Sequence, residues 1–234
     1  PLHFFVLENV VGLQQAPHLE HFELLKSTLT EIGFNVFEAV LNSRNYGVPQ
    51  KRERLIIVGI NAKLHPQEKW AAPPSLDLPK EKLTVRHAFR GIPEPTHFRR
   101  NIRPDDIGFH PNHWCMAPKS KKFLTPGALV EGQRSNRSFK TLSWDEPSVT
   151  VAYGNREVHI HPDCKRRLSV FEAMRLQGFP DTYELKGSLS SQITQVSEAV
   201  PPPMAKAVGM SLSKLISTAT TKNNHKLMRQ IAQV

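Results

Sequence analysis

The sequence has few cysteines and no long apolar run, and each shortage excludes a class of protein. Two cysteines, Cys115 and Cys164, are too few for a disulfide scaffold and have no metal-ligand spacing. The simpler interpretation is that both cysteines are reduced cytosolic thiols and that the chain binds no metal. No apolar run approaches the roughly 20 residues of a membrane span, and no charged-then-apolar leader opens the chain. We therefore expect a cytoplasmic protein with no membrane partner.

Acidic residues are also in short supply. There are 21 Asp and Glu against 31 Lys and Arg, which gives a formal net charge of +10. Such a surplus favours polyanionic partners, of which nucleic acid is the commonest, although a basic solvated surface gives the same balance. The hydrophobic fraction of 39% is ordinary for a soluble globular protein, and 234 residues are enough for one or two domains.

The most informative local pattern opens the chain. Residues 3–10 (HFFVLENV) form an apolar run of β-type residues that stops at Glu8 and Asn9. We expect a buried parallel strand that delivers these polar side chains to the ligand crevice of an α/β sheet. Residues 49–59 (PQKRERLIIVG) predict a second strand. Gln50, Arg52 and Arg54 share one face of that strand, because strand side chains alternate.

The segment between these two strands completes an α/β pattern. Apolar residues recur at helical spacing over residues 19–32, and Gly33 follows where a helix C-cap glycine belongs. Residues 34–41 predict a strand, and a turn-rich stretch follows it. The order strand, helix, strand, loop, strand indicates the α/β class.

The character of the sequence changes between residues 66 and 162. Prolines cluster, no helical period appears, and short β-type pieces lie between turns, which predicts a small, loop-rich, mainly β domain. Basic residues are dense and interleaved with aromatic and imidazole groups, a mixture suited to phosphate and base contacts. A solvated basic loop is an equally good interpretation of each residue alone. The candidate DNA contacts are Arg99, Arg100, Lys121, Lys122, Arg134 and Arg137.

Helical patterns return after residue 162. Ser169 and Glu172 have capping-box spacing and predict a helix that runs to Gln177 and ends at Gly178. A second helix is predicted from the prolines at 201–203, which a first turn tolerates. We expect domain boundaries at 1–65 for a partial catalytic domain, 66–162, 163–218 for a helical segment returning to it, and 219–234 for a polar tail.

Four blocks together resemble the DNA cytosine-5 methyltransferase family, over residues 3–216. They are Glu8-Asn9-Val10, the Gln-x-Arg-x-Arg pattern of residues 50–54, the run RRLSVFEAMRLQGFPD at 166–181, and QVSEAVPP at 195–202. The resemblance implies the C-terminal part of a Rossmann-like methyltransferase sheet plus a target-recognition domain at 66–162. It also implies transfer of a methyl group to C5 of a cytosine flipped out of double-stranded DNA.

The resemblance assigns catalytic roles to five residues. Glu8 meets the N3/N4 edge of the flipped base, and Asn9 braces the catalytic loop. Arg54, with Arg52 beside it, places positive charge near O2, and Gln50 lies at the edge of the pocket. These roles suit the chemistry, because thiolate addition to C6 of the ring sends negative charge to N3 and O2.

The last block implies contact with S-adenosylmethionine through Glu198, Ala199 and Val200. The family pattern there is usually Gln-(Ile/Val)-Gly-Asn-(Ala/Ser)-Val-Pro-Pro, whereas this chain has Ser197 and Glu198 in place of Gly-Asn. Serine lacks the backbone freedom of glycine, and glutamate adds a charge where a neutral amide is usual.

Two family blocks are not found in the sequence. The Phe-x-Gly turn that binds the cofactor and the Pro-Cys-Gln nucleophile precede Glu-Asn-Val in the family, and neither cysteine of this chain has that context. We therefore expect a C-terminal portion that is inactive without an N-terminal half or subunit, which binds most of the cofactor. The whole enzyme is expected to be prokaryotic, nucleoid-associated and part of a restriction–modification system. A non-catalytic DNA-binding module or remnant is the alternative, and an RNA methyltransferase of the same lineage is a third.

Overall fold

The computed structural model describes residues 1–133, 140–150 and 159–215. The chain forms two compact units. The first contains Pro1–Asn42, Glu53–Ser75 and Ala205–Val234, and the second contains Ser43–Arg52 and Leu76–Met204. The predicted polar tail at 219–234 lies outside the described residues. No helix in the described ranges is long and apolar enough to cross a membrane.

The first unit is built on a three-stranded sheet with the order β1–β4–β2. Strand β1 covers Phe4–Asn9, β2 covers Phe34–Asn42 and β4 covers Glu53–Asn61. Central β4 pairs antiparallel with both neighbours. The expectation that β1 is a buried parallel strand is therefore wrong. Strand β1 lies at an edge of this sheet and is only partly covered. Its pairing is antiparallel because β4 runs in the opposite direction.

Helix α1 (Leu19–Glu31) covers one face of the sheet, as its apolar spacing predicts. Phe22 of the helix forms a buried cluster with Leu55 and Ile57 of β4. Gly33 has φ of 99°, the left-handed conformation expected of a residue that ends a helix, and β2 begins directly after it. The helix therefore ends at this glycine, and the chain turns directly into the sheet.

A glycine in β4 makes room for an aromatic ring of β1. Phe5 lies directly opposite Gly59 in the register, and its ring meets the Phe34 ring edge-on at 5.1 Å between centroids. A Cβ atom on Gly59 would lie 2.0 Å from the Phe5 ring. The ring thus packs flat across the backbone of β4, and only glycine fits at that position.

The second unit is loop-rich, and its strands are two residues long. The strands are β3 (Gln50–Lys51), β5 (Thr96–His97), β6 (Trp114–Cys115), β7 (Lys140–Thr141), β8 (Ser148–Val149) and β9 (His159–Ile160). They form the parallel pairs β3–β8, β5–β6 and β7–β9. The described part of 66–162 is thus mainly irregular, where the sequence predicted mainly β, because its prolines remove the donors that longer ladders need.

The helices of the second unit supply its core. They are α2 (Val85–Ala88), α3 (Val170–Leu176) and α4 (Leu189–Glu198). Helix α3 begins with the predicted capping box, and Gly178 after it has φ of 75°. Its residues are almost all buried in one apolar cluster that also takes Trp114 and Val196. The last helix of the described residues, α5, covers residues 202–215, most of which belong to the first unit, and Met204 and Val208 are buried in it.

The predicted strand over residues 49–59 is not continuous. Residues 50–51 pair with β8, the ladder stops at Arg52, and β4 begins at Glu53. The carbonyl of Arg52 instead accepts a hydrogen bond from the N–H of Ser43 at 2.8 Å. The expectation that one strand places Gln50, Arg52 and Arg54 on a common face is therefore wrong, because the chain leaves one sheet and enters another at Arg52.

Candidate functional site

Glu8 and Arg54 lie together on one face of the first unit's sheet. Glu8 is opposite Ile56 in the register, so Arg54, two residues away on β4, points to the same side. Arg54 Nε is 2.7 Å from Glu8 Oε1, with side-chain exposures of 14% and 27%. The N–H is not aligned with that oxygen, which has no donor in hydrogen-bond geometry among the described residues. The contact is therefore an ion pair whose carboxylate retains capacity to bind a further donor.

Asn9 ends strand β1, and its side chain binds the next backbone N–H. Its Oδ1 accepts the N–H of Val10 at 2.8 Å, and a 3₁₀ turn covers Val11–Gln14 directly afterwards. A side-chain amide that binds the next backbone N–H fixes the exit of the chain from the strand. Asn9, to which the resemblance assigns the bracing of the catalytic loop, thus lies at the end of the strand that carries Glu8.

Gln50 and Arg52 are buried in the second unit, where three of the four sequence blocks meet. Gln50 Nε2 donates to the carbonyl of Leu176 at 3.4 Å, and Arg52 Nη2 donates to the carbonyl of Ser197 at 3.0 Å. Gln177 donates to the carbonyl of Val196 through a short contact. These bonds tie the Gln-x-Arg segment to the end of α3 and to the end of α4. Both side chains are fully buried in this structure and donate to backbone carbonyls.

The block assigned to S-adenosylmethionine lies at the C-terminus of α4. Glu198 is the last helical residue and is exposed, and the N–H of Ala199 donates to the carbonyl of Gln195 at 3.1 Å. Val200 follows and is half-buried. A carboxylate at the negative end of a helix dipole favours a cationic neighbour. The negative charge of Glu198 therefore suits a cationic cofactor. Three consecutive residues at a helix end cannot enclose a cofactor by themselves.

Four of the six predicted DNA contacts lie in the described part of the second unit. Arg99, Arg100, Lys121 and Lys122 are all exposed. The two lysines form a 3₁₀ turn over Lys121–Phe123, capped by the Ser120 hydroxyl, which accepts the N–H of Lys122 at 3.3 Å. Exposed cations on a capped turn are accessible to phosphate. The other two residues, Arg134 and Arg137, lie outside the described residues.

Burial disfavours the thiolate form of both cysteines. Cys115 is buried in β6, and burial raises the pKa of its thiol to about 12. Burial and the adjacent Asp163 carboxylate also raise the pKa of Cys164. The thiolate is the reactive form, and catalytic cysteines have pKa values below the usual range.

Sequence reasoning missed helix α4, which binds Asn112 and Trp114. The Oε1 atom of Gln192, in α4, accepts hydrogen bonds from Trp114 Nε1 and Asn112 Nδ2, both at 2.9 Å. Ser188 caps this helix by accepting the N–H of Ser191. The signal was present in the sequence, because Leu189, Ile193 and Val196 recur at helical spacing after a serine.

The chain matches known methyltransferases along nearly all of its length. Residues 3–214 match the family model of C-5 cytosine-specific DNA methylases. The chain is 35% identical to the type II methyltransferase M.NmeDI of Neisseria meningitidis serogroup C, over 91% of this chain and 54% of that protein. It is 32% identical to M.MthTI of Methanothermobacter thermautotrophicus, over 90% of this chain and 66% of that protein.

Solved structures share the fold. A protein described as a prophage-encoded DNA modification methyltransferase from Escherichia coli superposes with a TM-score of 0.71 at 19% identity, covering 92% of this chain and 70% of its own. The Dnmt2 methyltransferase of S. pombe superposes with a TM-score of 0.52 at 14% identity, covering 90% of this chain and 64% of its own. The α/β methyltransferase fold is therefore confirmed at this level.

The chain spans about half to two thirds of the length of the curated relatives it matches. The family match nonetheless includes Glu8, Arg54 and the last block within one continuous range. The resemblance inferred from the four blocks is confirmed: this chain belongs to the C-5 cytosine-specific DNA methylase family.

Proposed function

We propose that this chain supplies the target-base side of a DNA cytosine-5 methyltransferase and transfers no methyl group alone. The observation that carries the proposal is the Glu8–Arg54 ion pair at 2.7 Å, on one face of the sheet. N3 and O2 are neighbours on the cytosine ring. A carboxyl and a guanidinium held side by side therefore match the two atoms where negative charge develops when a thiolate adds to C6.

The Glu8–Arg54 pair is both held in place and accessible, as contact with a flipped base requires. Arg54 Nη1 also donates to the carbonyl of Glu53 at 2.7 Å, so the guanidinium is held from two sides. Both side chains remain partly exposed. A flipped base can therefore reach Glu8 without first breaking a buried ion pair, which would cost about 3–5 kcal/mol.

The nucleophile and most of the cofactor site belong, in this proposal, to a complementary N-terminal portion. The buried Cys115, with a thiol pKa of about 12, supports this assignment, as does the single cofactor edge at Glu198. S-adenosylmethionine supplies an electrophilic methyl group when bound. The exposed Arg99, Arg100, Lys121 and Lys122 are proposed to hold the phosphates of double-stranded DNA in a target-recognition domain at 66–162.

The test is a labelled-methyl transfer assay on duplex DNA. We expect no transfer by the chain alone and transfer after addition of the portion of the Neisseria relative that lies outside the matched region. In that mixture Glu8→Gln should lower turnover by two orders of magnitude or more and leave the unfolding temperature unchanged. The matched control is Glu38→Gln, another half-buried carboxylate of the same sheet, paired with Lys26 at 3.3 Å. Wild-type turnover by the Glu8 variant would refute the assignment.

A second candidate is a non-catalytic DNA-binding module. Ser197 and Glu198, where the family usually has Gly-Asn, favour it, because they alter the one cofactor edge that the chain carries. This reading predicts tight, sequence-selective binding of duplex DNA by the chain alone and no transfer with any complementary portion.

A further inference from the structure

A basic groove of the second unit has no part in the roles described so far. Its lining consists of two arginines, a lysine, a histidine, two carboxylates and a threonine: Arg86, Arg90, Lys80, His87, Glu81, Asp145 and Thr84. All of them except the half-buried threonine are exposed. The volume of the groove is about 670 Å³. This is roughly twenty times the share of one water molecule in the liquid, so the groove admits a ligand larger than a single ion.

The charges that line the groove are only partly matched to one another. Asp145 is paired with Arg86, whose Nε and Nη2 donate to its two oxygens at 2.7 and 2.9 Å. Among the described residues, no carboxylate lies within ion-pair distance of Lys80 or Arg90. Glu81 is the second carboxylate of the lining, which thus holds one cation more than it holds carboxylates. The groove therefore keeps positive charge available for an anion.

Helix α2, which carries the two arginines, is held in place from behind. Arg175 Nη1 donates to the carbonyls of Ala88 and Arg90 at 3.2 and 2.9 Å. The N–H of Arg86 donates to the carbonyl of Trp144 at 2.8 Å, and its guanidinium lies 5.3 Å from the centroid of the Trp144 ring. The backbone beneath the cations is thus fixed before a ligand arrives, which lowers the entropy cost of binding.

Arg86 keeps hydrogen-bond donors for a ligand although it is already paired. A guanidinium has five N–H donors, and Asp145 accepts from two of its nitrogens. The Arg86 side chain is 60% exposed, so its other N–H groups are accessible. Guanidinium and phosphate match in geometry, because parallel N–H groups can donate to two phosphate oxygens.

We propose that this groove binds phosphate groups through Lys80, Arg86 and Arg90, and that the backbone of duplex DNA supplies them. Sites for small molecules bury most of their ligand, whereas every charged side chain of this groove is exposed. That exposure suits a polymer lying along the surface better than a small phosphate enclosed by protein. The site is separate from the chemistry proposed at Glu8 and does not depend on it.

Binding of the full chain to a fluorescein-labelled duplex, measured by anisotropy at several salt concentrations, tests the groove. Lys80→Ala and Arg90→Ala should each weaken binding about eightfold at about 0.1 M salt and reduce the slope of log K against log salt by about 0.9, because each removes one phosphate contact. The matched control is Lys165→Ala, which removes an exposed lysine of the same unit outside the groove and should leave both quantities unchanged.

Glu81→Gln provides a test in the opposite direction. It removes a carboxylate that repels phosphate, so it should tighten duplex binding by about two- to fivefold, which loss of structure would not do. Circular dichroism checks that all four variants are folded. Calorimetric titration with pyrophosphate, on the same variants, shows whether a small phosphate compound is a second source of the ligand.

The outcomes separate the groove from its ligand and from the proposed function. Weaker duplex binding by the Lys80 and Arg90 variants, with the Lys165 variant unchanged, upholds the groove as a DNA site. Equal duplex binding by all variants, with pyrophosphate binding lost only in the groove variants, upholds the phosphate site and replaces its source. Equal effects of Lys80→Ala and Lys165→Ala on both probes, weaker duplex binding by Glu81→Gln, or no binding of either probe overturns the proposal. The labelled-methyl assay reports on Glu8 separately, so transfer by the reconstituted mixture leaves the proposed function standing even where the groove fails.

Discussion

The buried carboxylate of Glu172 should be the most sensitive single position for the stability of the second unit. It is 1% exposed and accepts three hydrogen bonds: from Arg166 Nη1 and Nη2, both at 2.9 Å, and from the N–H of Ser169 at 2.8 Å. Burial disfavours the charged form of Arg166, but the carboxylates of Glu172 and Glu94 outweigh it and raise the pKa of the guanidinium. Arg166 thus stays charged inside the unit.

Glu172→Gln keeps the shape of the side chain and removes its charge. The amide nitrogen cannot accept from Arg166, so a buried guanidinium loses its main counter-charge. Breaking a buried pair costs about 3–5 kcal/mol, and Arg166 retains an ion pair with Glu94 at 2.8 Å, so we expect the lower end, about 3 kcal/mol. For a chain of this size that corresponds to a fall of about 6–12 °C in unfolding temperature.

Urea unfolding followed by tryptophan fluorescence measures this loss, since Trp114 and Trp144 both lie in the second unit. Glu94→Gln is the matched control, because Glu94 contacts the same guanidinium but its side chain is 76% exposed. Its expected cost is about 1 kcal/mol or less. The double replacement Arg166→Met with Glu172→Leu should recover most of the loss, because no unpaired charge remains. A Glu172 variant as stable as wild type, or no more affected than the Glu94 variant, would refute the reasoning.

Three further outcomes follow from individual side chains. Burial lowers the pKa of His110 and His113 in the folded state. Below the ordinary histidine pKa near 6.5 the unfolded state therefore binds more protons than the folded state, and acid favours unfolding. Urea midpoints should fall from pH 7.5 to pH 5.5, and a constant midpoint would contradict this. Gly59→Ala forces the Phe5 ring away from β4 and should lower the free energy of unfolding by about 1–3 kcal/mol in the same assay. Cys115, with a thiol pKa of about 12, should react with iodoacetamide at pH 8 only after unfolding, as mass spectrometry of the labelled protein can show.

Local signals predicted the elements that depend on neighbouring residues. The capping box of Ser169 and Glu172, the helix ending at Gly33 and the apolar spacing of α1 are set within a few residues, and the structure has each of them. The four family blocks are also readable in the sequence, and the family match confirms what they indicated. Helix α4 could have been found in the same way, from Ser188 and the apolar spacing after it.

Other features depend on residues far apart in the chain. Strand direction was one of them: the apolar run of β1 fits either orientation, and pairing with β4, some fifty residues later, decides it. The break at Arg52 is another, since alternation along one strand assumes a single partner sheet. The sequence determined by itself the family, helix α1, helix α3 with its capping box, and the presence of an acid and two arginines. Only the tertiary structure decided that Glu8 meets Arg54 while Arg52 turns to the carbonyl of Ser197, because pairing register and burial are set by contacts that no local pattern encodes.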